Sequence, residues 1–324
     1  MNIPNFFIVW EPKCWTTIIH DYLNQHPDVF LSYPKEPHYF STDLQDESDR
    51  FHGKVYDISS IRNESEYLKL FEKSWNSKII WEWSTNYVYS KTAAYNIYKF
   101  NPDSKILFGI REPLDFLQSW HWQLTKKLIE NKTDFLSAIE SEHQRRKRKE
   151  IPSTCVNPSL LFYSEFIKFE EHLKRFLKFF PKEHIKVFLY EDFKKNNQEI
   201  MNEIFDFLGI KHIELQYKKS NPRSYMKYPT SYMKYPTFYR IFYNNKIKFL
   251  AKKTIPWSIR QKAGEIIFNL ATSPQKAPKL WEKDILKLKK KYKSQVKKIN
   301  DLLHTNWLIK RDIDLIKYWW YEGI

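Results

Sequence analysis

The chain has 324 residues, and its 54 Lys+Arg against 38 Asp+Glu leave a formal charge of +16, enough length for one large α/β domain with an ample core. At 42% hydrophobic and 28% charged it falls outside the disordered and collagen-like classes. Glycine is the anomaly: 5 Gly stand beside 12 Trp, about 1.5% glycine where roughly 7% is usual, too little for the turns and phosphate loops of a doubly wound protein.

Two cysteines, Cys14 and Cys155, make neither a disulfide framework nor a zinc spacing, which points to a reducing compartment. No run approaches the roughly 18 apolar residues of a membrane span. The N-terminus enters an apolar segment without a basic leader or cleavage site. A cytoplasmic protein is expected. The positive balance favours anionic partners, but abundant Lys, Ile, Asn, Tyr and Phe also fit an A/T-rich gene. A solvated lysine surface is therefore the first reading of the charge, and a nucleic-acid face the second.

The apolar run Phe6 to Val9 predicts a strand, followed by a polar loop and then Ile18, Ile19, Tyr22 and Leu23 at helical spacing. Similar short runs at 78–81, 105–110 and 185–190 predict further strands. Helix-like stretches lie between them, including one from about Phe162 to Phe180 and one at 200–210 that stops at Gly209. Strands alternating with helices imply a mainly parallel sheet covered on both faces. Residues 211–245 read as a loop or lid in which SYMKYPT occurs twice, at 224–230 and 231–237, a single duplication rather than a solenoid. Ile285, Leu288, Tyr292, Val296, Ile299 and Leu303 then form a helical stripe with lysines on the other faces. The reading is one domain over 1–324, with residues 281–324 as a helical C-terminal appendage.

Between the first strand and its helix lies Trp10-Glu-Pro-Lys-Cys-Trp15-Thr16-Thr17. A helix N-terminus presents unpaired N–H groups to an anion there, with Thr16 and Thr17 as hydroxyl donors and Lys13 as a cation. A phosphate loop wants glycine at two positions five apart. Both hold Trp, at 10 and 15.

This stretch, FFIVWEPKCWTTIIHDYLNQHP, with KEPHYF (35–40), IIWEWSTNYVYS (79–90), KILFGIREPLDFLQS (105–119) and FPKEHIKVFLYEDFKK (180–195), resembles the sulfotransferases that use 3′-phosphoadenosine 5′-phosphosulfate (PAPS), particularly those acting on glycans. The resemblance implies a three-layer, P-loop-like sandwich around a parallel sheet of about five strands. It implies that Lys13, Cys14, Trp15, Thr16 and Thr17 hold the 5′-phosphosulfate, and that Arg111 and Ser119 hold the 3′-phosphate, a guanidinium fork and a hydroxyl suited to that anion. It makes Glu36 the general base on the acceptor hydroxyl and Lys13 the cation that stabilises the leaving group. Lys35 and His38 are read as surface or packing residues, and Glu82 as a brace. A lysine carried by several family members near the reaction centre is replaced by Trp83. The acceptor implied is a carbohydrate or related hydroxyl compound. No metal and no nucleic-acid partner are expected.

Trp10, Trp15 and Trp81 fall where the family has glycine, and a bulky residue at the first two would resist close approach of phosphate to the backbone. Scarce Gly, abundant Trp and Trp at both loop positions suggest UGA codons that the source reads as glycine. Trp75, Trp83, Trp120, Trp122 and Trp307 are further candidates. The alternative is a genuine Trp-containing relative that has lost activity. Outside catalysis, the lysine-dense C-terminal helix and the Tyr/Lys-rich segment 217–249 would suit a polyanion-binding protein. A P-loop kinase is disfavoured, because Thr16 occupies the position where its lysine would stand.

Overall fold

In the computed structural model, residues 3–10, 16–33, 35–57, 60–216, 231–233, 255, 259, 262–263, 266, 272–274, 280–309 and 312–324 are described. Lys13, Cys14 and Trp15 lie outside them, as does all of the 217–249 segment except 231–233.

Five strands, β1 (Phe6–Trp10), β2 (Val29–Leu31), β3 (Ile79–Trp83), β4 (Lys105–Ile110) and β5 (Ile185–Leu189), form one all-parallel sheet in the order β2-β3-β1-β4-β5. Their apolar runs are continuous because both faces are buried, and the two-residue period sorts them. Phe7, Val9, Ile106, Phe108 and Ile110 enter one core cluster, and Phe6, Ile8, Trp81, Trp83 and Leu107 the other. The Thr16–Leu23 and Asn197–Leu208 helices cover the second face with Ile19, Leu23, Met201, Ile204 and Phe205. The first face is covered by the Ala93–Phe100, Pro113–Lys126, Phe169–Leu177 and Glu282–Thr305 helices. The three-layer sandwich expected from the sequence is thus present.

Several details differ from the sequence reading. β3 runs two residues beyond the expected 81, and β2 was not anticipated, since three residues are too few to display a period. The single helix expected over 162–180 is two pieces, Tyr163–Phe166 and Phe169–Leu177. Within 211–245, Ser231–Met233 pairs antiparallel with Thr272–Pro274. The C-terminal helix is no appendage: Leu288, Tyr292, Val296, Ile299 and Leu303 are buried in the same cluster as the sheet, against the Pro113–Lys126 and Phe169–Leu177 helices. No helix among the described residues is long and apolar enough to cross a membrane.

This strand order fixes where a ligand can sit. The chain leaves central β1 for β2 and β3 on one side and later adds β4 and β5 on the other, and a crevice opens where such connections diverge, outside the carboxyl ends of the strands. The residues that follow those ends are the 11–15 loop, Ser84, Arg111 and Tyr190.

Candidate active site

Glu36 stands beside the carboxyl end of β3, its main-chain N–H donating to the Trp83 carbonyl at 3.2 Å. Its φ is 57° and that of His38 is 54°. Left-handed backbone costs a residue with a side chain about 1–2 kcal/mol, so the segment holds its shape only because neighbours grip it. The His38 N–H donates to Ser84 Oγ at 3.0 Å, and the His38 carbonyl accepts from Ser41 Oγ at 2.9 Å and Gln45 Nε2 at 2.8 Å. The Phe40 N–H donates to the Tyr87 hydroxyl at 3.4 Å.

The grip sets the chemistry of the Glu36 carboxylate. His38 Nε2 lies 3.5 Å from Glu36 Oε2, with the Glu36 side chain 35% exposed and that of His38 11%. Partial burial opposes ionisation, but the contact with His38 and the charges of Lys127 and Lys35 outweigh it and hold the carboxyl below its ordinary range. An ionised, partly open carboxylate can accept a proton from a hydroxyl brought to it. Lys35 Nζ lies 6.0 Å from the centroid of the buried Trp83 ring, so an ammonium overlies the position where the resemblance leads one to expect a lysine.

Behind this loop is a carboxylate with no access to solvent. Glu82 is 0% exposed and accepts three hydroxyl hydrogen bonds, from Tyr87 at 2.6 Å, Ser84 at 2.9 Å and Tyr67 at 3.2 Å. Burial pushes its carboxyl up to about 7, against the pull of those hydroxyls and of His38.

At the end of β4, buried Arg111 lies 4.3 Å from the centroid of the Tyr190 ring, with Nη2 3.9 Å from Asp115 Oδ2. Ser119 is buried on the Pro113–Lys126 helix, one turn beyond Asp115. The connection that carries Arg111 is fastened from a distance. The Glu112 N–H donates to Glu191 Oε1 at 3.0 Å, Tyr321 donates its hydroxyl to Glu112 Oε1 at 2.6 Å, and Trp319 Nε1 donates to Glu191 Oε2 at 3.1 Å. Burial raises the pKa of both carboxyls, Glu112 and Glu191.

Of the residues singled out from sequence, Arg111 and Ser119 share one strand-to-helix connection, and Glu36 occupies the end of β3, two strands away. Thr16 and Thr17 open the helix that follows β1, as a phosphate-binding arrangement requires. Of the surface and packing roles open to His38, the structure shows packing: the ring is buried against the Glu36 carboxylate. Sequence reasoning missed Lys127, whose charge acts on Glu36 from the end of its helix, and the Tyr87, Trp319 and Tyr321 contacts. Only a buried acid in a strand, Glu82, signalled any of them.

An all-parallel sheet wound in this order, with a guanidinium and a carboxylate at its carboxyl edge, is a P-loop-like α/β fold. Residues 4–240 match the family model described as "Sulfotransferase domain", and the chain belongs to that family. It is 21% identical over 296 residues to the membrane-associated sulfotransferase kil1 of Dictyostelium discoideum, covering 70% of this chain and 60% of that protein. It is 22% identical to carbohydrate sulfotransferase 15 of Mus musculus, covering 64% of this chain and 44% of the relative. The chain thus spans about half the length of these two relatives. A solved sulfotransferase from Alicyclobacillus acidocaldarius aligns at 27% identity with a TM-score of 0.58, over 69% of this chain and 88% of that one.

Proposed function

We propose that the chain transfers a sulfuryl group from PAPS to a hydroxyl of a carbohydrate acceptor. The acceptor oxygen attacks sulfur, the bond from sulfur to the bridging oxygen of the donor breaks, and the hydroxyl proton passes to Glu36. The observation that carries this reading is the carboxylate of Glu36, kept ionised against His38 at the edge of the sheet where Arg111 also emerges. Arg111 and Ser119 suit the donor's 3′-phosphate, a buried fork and a hydroxyl two helical turns apart. Lys13, with Cys14, Trp15, Thr16 and Thr17, would receive the phosphosulfate and neutralise charge on the departing oxygen. A carbohydrate acceptor is supported by the likeness to carbohydrate sulfotransferase 15.

Thermal stabilisation by adenosine 3′,5′-bisphosphate, followed by transfer of labelled sulfuryl group to a panel of glycans, tests the proposal in a variant carrying Trp10→Gly and Trp15→Gly. Stabilisation without any transfer would leave a nucleotide-binding protein of this fold, and neither would defeat the reading. The two loop tryptophans favour one second reading, a catalytically impaired member of the family, for a protein that truly contains them.

A further inference from the structure

Each main-chain N–H of Glu36, His38 and Phe40 is held by the end of β3 and the turn after it. Glu36 uses a carbonyl, but His38 and Phe40 use the hydroxyls of Ser84 and Tyr87. Both hydroxyls spend their proton on Glu82. A hydroxyl has one proton and two lone pairs, and only one whose proton points inward presents a lone pair outward to an N–H. Above about pH 7, where its carboxyl is ionised, Glu82 is acceptor-only and turns Ser84 and Tyr87 the same way. We infer that Glu82 is a positioning residue for the general base: through Ser84 and Tyr87 it clamps the Glu36-Pro37-His38 segment, whose first and last residues are left-handed, and keeps Glu36 against His38. Glu82 itself, wholly buried, does not touch the acceptor.

The inference rests on the reading of Glu36 as the base, so its test includes a measurement that needs no turnover. In the Trp10→Gly, Trp15→Gly background, Glu82→Gln and Ser84→Ala should lower kcat about tenfold or more, with the affinity for adenosine 3′,5′-bisphosphate unchanged. The Glu36 carboxyl, followed by 13C NMR, should titrate at least about half a pH unit higher as it leaves His38, and Ser84→Thr should restore both values. An unmoved Glu36 titration in Glu82→Gln and in Ser84→Ala would overturn the positioning role. A moved titration in a protein without turnover would uphold it and overturn the base assignment instead.

A second inference rests on the backbone at three tryptophans. Among the described residues, eight that are not glycine have positive φ, and Trp75, Trp307 and Trp320 are three of them. Trp75, at φ 43° and ψ −114°, is the first central residue of a turn closed by the Ser77 N–H on the Ser74 carbonyl, the type II′ geometry that calls for glycine there. Trp307 and Trp320 each follow a helix end and donate to His304 and Lys317, while Leu308 and Tyr321 reach back to Leu303 and Ile316. Gly209 and Ile210 make the same pair of bonds to Asp206 and Phe205, as do Leu128 with Ile129 and Arg148 with Lys149; the left-handed residue of this motif is usually glycine, and the tryptophans differ from Leu128 in that their large rings stay exposed. The three indoles are 77%, 60% and 80% exposed, whereas neighbouring Trp319 is 2% exposed and hydrogen-bonded to Glu191.

We infer that positions 75, 307 and 320 are glycine in the protein as its source makes it, and that Trp319 is tryptophan. Mass spectrometry of the native protein should find glycine at the three and tryptophan at 319. A tryptophan mass at the three overturns the inference. In recombinant protein, Trp75→Gly, Trp307→Gly and Trp320→Gly should each raise Tm by about 2 °C, and Trp319→Gly should lower it. A fall in Tm for the three would overturn the backbone argument.

Discussion

The Glu36 side of the site and the Arg111 side are assembled by contacts of different reach. Glu36, His38 and Phe40 are held by Trp83, Ser84 and Tyr87, and no bond in that network joins residues more than 47 apart in sequence. The Arg111 connection is fastened by Tyr321, 209 residues from Glu112, and by Trp319, 128 residues from Glu191. On the proposed roles, reactivity would follow the local network and donor affinity the remote one, with the charge of Lys127, at the end of the Pro113–Lys126 helix, as a link between them; a change at Arg111 or Glu36 should then leave the other side's property intact.

Four measurements would break or sharpen that division. If Glu36 is the base proposed above, Glu36→Gln should lower kcat by about 10² to 10⁴, with nucleotide affinity by calorimetry unchanged. Arg111→Ala should do the reverse, abolishing thermal stabilisation by adenosine 3′,5′-bisphosphate through a loss of roughly a hundredfold or more in affinity, while the Glu36 titration stays where it was. If Arg111→Ala moved that titration, the two sides would not be separate.

The pH dependence of stability reads both networks, since Glu82 on one side and Glu112 and Glu191 on the other are carboxyls whose pKa burial raises. Glu82 titrates at about 7 in the fold against an ordinary 4.5, so between those values the folded chain retains a proton that the unfolded chain has lost. Its contribution to stability therefore falls as pH rises from about 4.5 to 7, by roughly 3 kcal/mol, and is level above. Glu36 behaves oppositely and in another window, because its depressed pKa gives stability that is lost as pH falls below the ordinary value. Urea unfolding at a series of pH values should show the descending limb, and Glu82→Gln should make it shallower, leaving the part that Glu112 and Glu191 contribute. The smallest effect belongs to the remote clasp. Tyr321→Phe and Trp319→Phe each strip a donor from a buried carboxylate and should cost about 1–2 kcal/mol in unfolding free energy, weakening the nucleotide several-fold without altering the Glu36 titration.

The same division separates what could be read in advance from what could not. β4 is the apolar run 105–110 residue for residue, and Gly209 ends its helix as expected, because strand burial on both faces and a left-handed helix cap are written in neighbouring residues. Arg111 and Glu36 were found by their place after strands and in a short motif. For His38 a surface and a packing role stay equally open in the sequence, because nothing in a loop sequence reveals that a ring is buried against a carboxylate. The stripe of the C-terminal helix shows only that one face is covered, and the covering surface comes from helices more than a hundred residues earlier, which the sequence of the helix does not reveal.

The linear chain by itself determined the element types, the parallel α/β class, the family resemblance and the suspicion that falls on its tryptophans, since each follows from local periodicity, motif and composition. Only the tertiary structure decided that Glu82 faces three hydroxyls, that the chain's last aromatics clasp the Arg111 connection, and which of the described tryptophans stand on backbone suited to glycine. Those facts depend on which distant groups burial brings together and on the dihedral angles that packing imposes, and no short-range pattern encodes either.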